Sequence, residues 1–280
     1  MTDSARRATW TRHILAYAFL TLAVLGALVP FITTTISSFK TDTELVQGAL
    51  SLPKVWQWQN YVTAWVQGKF GIFFRNSVIV AVLVVVPSVI LSAMTGFAFA
   101  RYRFRGAGVL FAVFLLGMTI PSQALVIPLF YELKFMGLLN SHAAMILPQI
   151  AMSLSFGTLL MRTAFANLPR EISEAAMVDG CTSWQAFWRV LLPLVRPILG
   201  TLALLFFIWT WNEFLLPFVV TTVEEYQTLP VGLLYFQQRW TSNVPVLCAG
   251  ATIIFLPLTL LFLIFQRQLI EGIIAGSVKG

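Results

Sequence analysis

The chain has 280 residues, of which 58% are hydrophobic and only 10% charged. Soluble domains carry about 25% charged residues, so an apolar excess of this size excludes a single water-soluble core and makes lipid part of the solvent. A net charge of +7 and a pI near 9.8 would suit a nucleic-acid binder if the charge lay on one face, but the basic residues sit in short clusters between long apolar runs, which excludes that class.

In chain order, six stretches meet the requirement of about 20 mostly apolar residues for about 30 Å of hydrocarbon. They are residues 13–36, 72–100, 106–127, 142–163, 198–220 and 245–265. Further spans follow the first, so it is expected to stay as a helix and not to leave as a signal peptide. The expected organisation is an all-α polytopic membrane protein. It has an N-terminal segment 1–12, a six-span domain 13–266 with an interior loop 164–197, and a tail 267–280. With both termini placed in the cytoplasm, the 18 Lys and Arg residues divide twelve inside to six outside, as the positive-inside rule asks. Arg101, Arg103 and Arg105 form the strongest single anchor.

The first outer loop carries Trp56, Trp58, Tyr61 and Trp65, a set suited to the membrane–water boundary or to packing on a neighbour, with a sugar-stacking platform as the alternative. Cys181 and Cys248 lie in different segments, as do His13 and His142, so neither a disulfide framework nor a metal site is expected.

Between the fourth and fifth spans the chain turns polar. Pro169 suits a helix start, Glu171 and Glu174 favour the positive end of its dipole, and Gly180 suits a left-handed C-terminal cap. Thr182 followed by Gln185 has the form of a capping box and opens a second helix carrying Trp184, Phe187, Trp188, Leu191 and Leu192, ended by Pro193 and Pro197. An amphipathic loop lying on lipid would want a basic face. Here Glu171, Glu174 and Asp179 outnumber Arg170, which favours docking into a partner, with Ala175 and Ala176 allowing close approach.

The string Glu174-Ala175-Ala176-x-x-Asp179-Gly180, with Phe187, Leu192-Pro193 and Pro197 after it, resembles the signature loop of ABC importer permeases. The stretches Ile127-Pro128-Leu129-Phe130, Gly137-Leu138-Leu139-Asn140 and Trp211-Asn212-Glu213-Phe214-Leu215-x-Pro217, with the closing residues from Gln266, resemble the carbohydrate-uptake branch, particularly its smaller maltose-type subunit. Cys181, where Ala is commoner, is a small departure.

The resemblance implies a type I ABC importer permease fold in a bacterial or archaeal plasma (inner) membrane. It also implies a second permease subunit, two cytoplasmic ATPase subunits that hold ATP and Mg, and an extracellular solute-binding protein. Glu174, Ala175, Ala176, Asp179 and Gly180 would dock on the ATPase, with Ser277, Val278 and Lys279 as weaker contacts. No G-x-x-x-x-G-K-[ST] loop occurs, so no catalytic residue or cofactor is assigned to this chain.

Glu213 is the one acid inside an expected span, and such a charge costs about 2.5–3.5 kcal/mol at a helix centre. With Trp209, Trp211 and Asn212 it marks a candidate substrate path, the alternative being a role in a helix break near Pro217. No basic residue lies near a span centre, which leans towards neutral sugars over solutes such as glycerol 3-phosphate. A self-sufficient secondary transporter would be expected to show inverted repeats or several intramembrane charges, and neither is found.

Overall fold

A computed structural model describes the backbone of residues 3–48, 50–239 and 243–277, and the side chains of 13–48, 50–234 and 243–266. Among these residues the protein is helical throughout, without a strand. Four helices are long and apolar enough to cross a membrane, and two bent pairs bring the number to six. The chain forms two compact units, residues 1–70 with 233–255 and residues 71–232 with 256–280.

In the first unit, α1 (Asp3–Ser37) shows an apolar surface that stays exposed from residue 13 to residue 32. Pro30 has no N–H to offer the Gly26 carbonyl, and Thr33 and Thr34 donate their hydroxyls to the carbonyl of Pro30 itself at 3.0 and 2.8 Å. The loop after α1 then closes on Lys40. This side chain is fully buried, and its Nζ donates to the Gly48 carbonyl at 2.7 Å and to Ser51 Oγ at 3.2 Å. Thr41 and Glu44 form a capping box at the start of α2 (Asp42–Gln47). Backbone N–H groups of Thr41 and Lys54 donate to the Glu44 carboxylate and hold it below the usual carboxylate range. Phe39 supports Trp56, Trp58 and Tyr61 at ring distances of 4.7–5.0 Å, leaving both tryptophans more than half exposed. The short helix α3 (Gln59–Val66) completes the loop.

The second unit is organised around α7 (His142–Ala166), whose buried face holds small and polar residues that let neighbours approach. A Cβ on Gly157 would collide with Ser92 of α4 (Phe70–Arg101), and a Cβ on Gly96 would lie 2.7 Å from the Arg162 backbone. Close backbone approach is how helices associate where no hydrophobic drive separates lipid from protein. Towards one end of α7, Met161 and Phe165 pack with Phe187, Leu191, Leu202 and Phe206. Towards the other, Met145 packs with Val80, Val84, Leu133, Leu216 and Val220.

Two expected spans are interrupted. The stretch 106–127 is α5 (Ala107–Thr119) and α6 (Ser122–Phe135), bent by 102° at Ile120 and Pro121. At 13 residues α5 is about 20 Å long, short of the hydrocarbon thickness. The stretch 198–220 is α11 (Arg196–Asn212) and α12 (Leu215–Val220), separated by Glu213 and Phe214. Hydropathy does not register either break, because Ile120, Pro121 and Phe214 keep the window apolar.

At the His142 end, a clasp joins α4 and the α6–α7 corner to residues 220–229. Buried Asn76 donates Nδ2 to the carbonyls of Glu225 and Gln227 at 2.7 and 3.0 Å, and its Oδ1 meets His142 Nε2 at 3.1 Å. Asn140 Oδ1 accepts from Thr222 N, Thr222 Oγ1 and Val223 N, and Ser77 Oγ accepts from Leu229 N.

Candidate functional site

The loop 164–197 is helix, turn, helix. Helix α8 (Arg170–Val178) follows Pro169, which stands at the N-cap, one position before the first turn. Gly180 takes φ +87°; its N–H donates to the Met177 carbonyl at 3.1 Å and the Cys181 N–H to that of Ala176 at 3.0 Å. That pair of bonds is a Schellman cap, which needs a left-handed residue at this position. Thr182 and Gln185 exchange the two bonds of a capping box and start α9 (Ser183–Ala186). A π-helical turn Phe187–Leu191 and the short α10 (Leu192–Leu194) carry the chain to a 79° bend before α11.

The loop faces are not those the sequence suggests in every detail. Glu174, Ala175, Asp179 and Gly180 are exposed, whereas Ala176 is buried against the chain's own helices and offers no surface to a partner. Met177 and Val178, 49% and 86% exposed, complete the outward face and were not singled out by sequence. Their apolar character at the polar end of a short helix is the signal that was available. Arg101 Nη2, at the end of α4, donates to the Leu168 carbonyl at 2.9 Å and so ties the entry of α8 to a membrane helix. Of the tail residues, Ser277 ends α14 (Val244–Ser277) with its side chain outside the described set, and Val278 and Lys279 lie outside the described residues.

A cavity of about 410 Å³ lies between α7, α11 and the start of α6, lined by Ser122, Gln149, Met152, Ser153, Ile208, Trp209, Thr210, Asn212 and Glu213. A smaller one of about 40 Å³ continues past Glu213 to Leu215 and Leu216, sharing Ser122, Gln149 and Met152. Both span interruptions therefore open on the same space, one through Ser122 and the other through Glu213. Glu213 ends α11, and its Oε1 accepts from the Leu216 N–H at 3.1 Å, capping α12. It thus holds the helix break and lines the cavity together. Asn212 spends its Nδ2 on the Ile208 carbonyl of its own helix at 2.8 Å. Trp209 is half exposed, its ring braced by Phe156 and Phe206.

Trp211 departs from the expected set. It is 2% exposed, turned onto Phe74 and Phe207, and does not line the cavity. One helical position separates it from Asn212 by about 100°, enough to exchange cavity for core. Gln149 takes a place the sequence reading omitted. It is 7% exposed, and its Nε2 donates to the Met145 carbonyl at 3.0 Å, leaving Oε1 as the acceptor. An amide inside an apolar span was the signal for it.

The profile of the family described as "Binding-protein-dependent transport system inner membrane component" matches residues 88–274. The chain is 36% identical to a probable ABC transporter permease protein, YurM, of Bacillus subtilis, covering 99% of this chain and 92% of that one. It is 34% identical to the diacetylchitobiose uptake system permease protein NgcG of Streptomyces coelicolor, over 95% of this chain and 87% of the relative. In structure it is similar to one chain of a bacterial ABC transporter involved in the import of the acidic polysaccharide alginate. The TM-score is 0.80 at 25% identity, covering 95% of this chain and 98% of the other. With its interrupted spans, its helix–turn–helix loop and these likenesses, the chain belongs to the inner-membrane permease family of binding-protein-dependent ABC importers.

Proposed function

We propose that this chain forms half of the translocation path of an importer for neutral sugars or oligosaccharides, and that α8 receives the motion that drives it. The reading rests on one observation: the helix breaks before Ser122 and at Glu213 meet at a single polar-lined cavity. Broken backbone at membrane depth is tolerated where it lines a cavity or is buried in protein, and substrates bind at such breaks. The lining offers the Glu213 carboxylate, Gln149 Oε1, the hydroxyls of Ser122 and Ser153 and the face of Trp209, with no basic side chain. Such a set suits sugar hydroxyls as donors and an aromatic stack on the ring. An anion such as glycerol 3-phosphate would meet the carboxylate without a compensating cation. Relatives named for diacetylchitobiose, arabinooligosaccharides and starch degradation products support the sugar class.

The partners in this reading are a second permease subunit, a solute-binding protein and two ATPase subunits on the cytoplasmic side, where ATP and Mg reside. Both termini of this chain lie on that side too. Glu174 and Ala175, with Met177 and Val178, present the docking face, while Asp179 and Gly180 hold its turn. Closure of the ATPases pulls α8. Ile172 of α8 and the π-helical turn share one packed cluster with Met161 and Phe165 of α7 and Phe206 of α11. Those same two helices carry Gln149, Ser153, Trp209 and Asn212 to the cavity. Docking energy thus biases the two access states through two rigid helices.

The test is uptake by the reconstituted transporter over a panel of neutral and anionic saccharides. Glu213→Gln keeps an acceptor for Leu216 while removing the charge, and is expected to raise the uptake KM about tenfold for a neutral sugar, the difference between charged and neutral hydrogen bonds. An unchanged KM across the panel, or a preference for anions, overturns the reading.

A further inference from the structure

Beside α8, the end of α4 and the start of α9 line two adjoining grooves apart from the cavity, the smaller of which meets the docking face at Glu174 and Met177. The larger, about 350 Å³, is apolar, with Met94, Phe97, Ala98 and Phe187 along it and Trp184 as an outer wall. The smaller, about 230 Å³, shares Phe97, Tyr102 and Ser183 and adds the guanidinium groups of Arg101 and Arg170, with Glu174 at its far rim. Tyr102 and Trp184 are 47% and 59% exposed, amphipathic rings of the kind that sit at headgroup level.

Arg101 Nη2 is engaged by the carbonyls of Leu168 and Pro169 at 2.9 and 3.5 Å, and its buried Nε has no hydrogen-bond partner. Arg170 is exposed at the first position of α8. An apolar trough ending in two cations at the membrane surface has the shape and charge of an anionic amphiphile. Met94 lies seven residues before Arg101 in the same span, about 10 Å deeper into hydrocarbon. A soluble protein segment does not reach that depth, and inorganic phosphate has nothing to place there.

We propose that this groove binds one anionic phospholipid of the adjacent leaflet. Its phosphate lies at Arg101 and Arg170, and an acyl chain runs along Phe97, Ala98 and Met94. Basic pockets between membrane helices are suited to such headgroups, and juxtamembrane cations attract anionic lipid. The bound lipid borders Ser173, Glu174 and Met177 of α8, so it steadies the helix proposed to meet the ATPase. The proposal stands on the membrane-spanning family fold and not on ATPase docking.

The experiment uses the full chain in neutral detergent with phosphatidylglycerol or phosphatidylcholine carrying brominated acyl chains, which quench nearby indoles. The Trp184 share of the quenching is the difference between the native chain and Trp184→Phe. Phosphatidylglycerol is expected to quench that share at about fivefold lower mole fraction than phosphatidylcholine, and Arg170→Gln to remove the preference. Ala98→Trp fills the trough while keeping both arginines, and abolishes the Trp184 share with either lipid. Equal quenching by the two lipids overturns the proposal and leaves the groove to a protein segment. A preference that survives Arg170→Gln, or displacement of lipid by inorganic phosphate, overturns it as well.

Discussion

Replacing Gly180 by Ala isolates the conformational role of the turn after α8. A Cβ at Gly180 meets nothing within 4 Å, so the substitution introduces no clash. The cost is the left-handed backbone alone, φ +87°. A non-glycine residue held there loses about 1–2 kcal/mol, which lowers the population of the capped turn about 5- to 30-fold relative to its frayed form. Two amides report this directly, Gly180 N–H on the Met177 carbonyl and Cys181 N–H on that of Ala176. Hydrogen exchange at both should speed up by that factor, with α7 unchanged.

The chain supplies its own control. Gly137, φ +69° and equally free of neighbours, ends α6 with the same pair of bonds, to Lys134 and Leu133. Gly137→Ala carries the same local cost far along the chain from α8. In the reconstituted transporter, Gly180→Ala is expected to lose uptake per ATP hydrolysed while Gly137→Ala keeps it. Equal loss in both variants, or unchanged exchange in Gly180→Ala, refutes the reasoning.

Glu174→Lys reverses the charge on an exposed side chain and is expected to leave membrane insertion intact while uncoupling hydrolysis from uptake. Co-purification of the ATPase subunits with the variant at native yield, together with native uptake, would count against the docking face. Gly157→Ala forces a Cβ against Ser92 Oγ, 2.7 Å from Ser92 Cβ and 2.9 Å from Phe206 Cζ. Overpacking of this kind costs about 1–3 kcal/mol, read as a lower thermal midpoint in detergent. Since Ser92 Oγ is buried without a hydrogen-bond partner, adding Ser92→Ala should recover part of the loss; no recovery would mean that the helices shift instead.

What was legible in the sequence follows the range of the interactions. The Gly180 cap and the Thr182–Gln185 box are set by residues within five positions of each other, and the structure forms both. Apolar length found the spans, but a window of hydropathy cannot see the helix breaks at Pro121 and Glu213, since the breaks are themselves apolar or capped by one side chain. Facing direction was the harder matter. Ala176 and Trp211 each sit one residue from an exposed partner of similar promise, and which of them turns inward depends on helices far away in sequence. Gln149 shares the cavity with Glu213 from a different span, a proximity that only the crossing of α7 and α11 creates.

The clasp of Asn76, Asn140 and His142 bears on how that end of the second unit can open. Parting α4 from residues 220–229 would strand the buried Asn76 amide, at about 1–3 kcal/mol for each buried group left unsatisfied, and parting the α6–α7 corner would break the three exposed bonds gathered on Asn140. Corner and segment therefore travel as a single lintel.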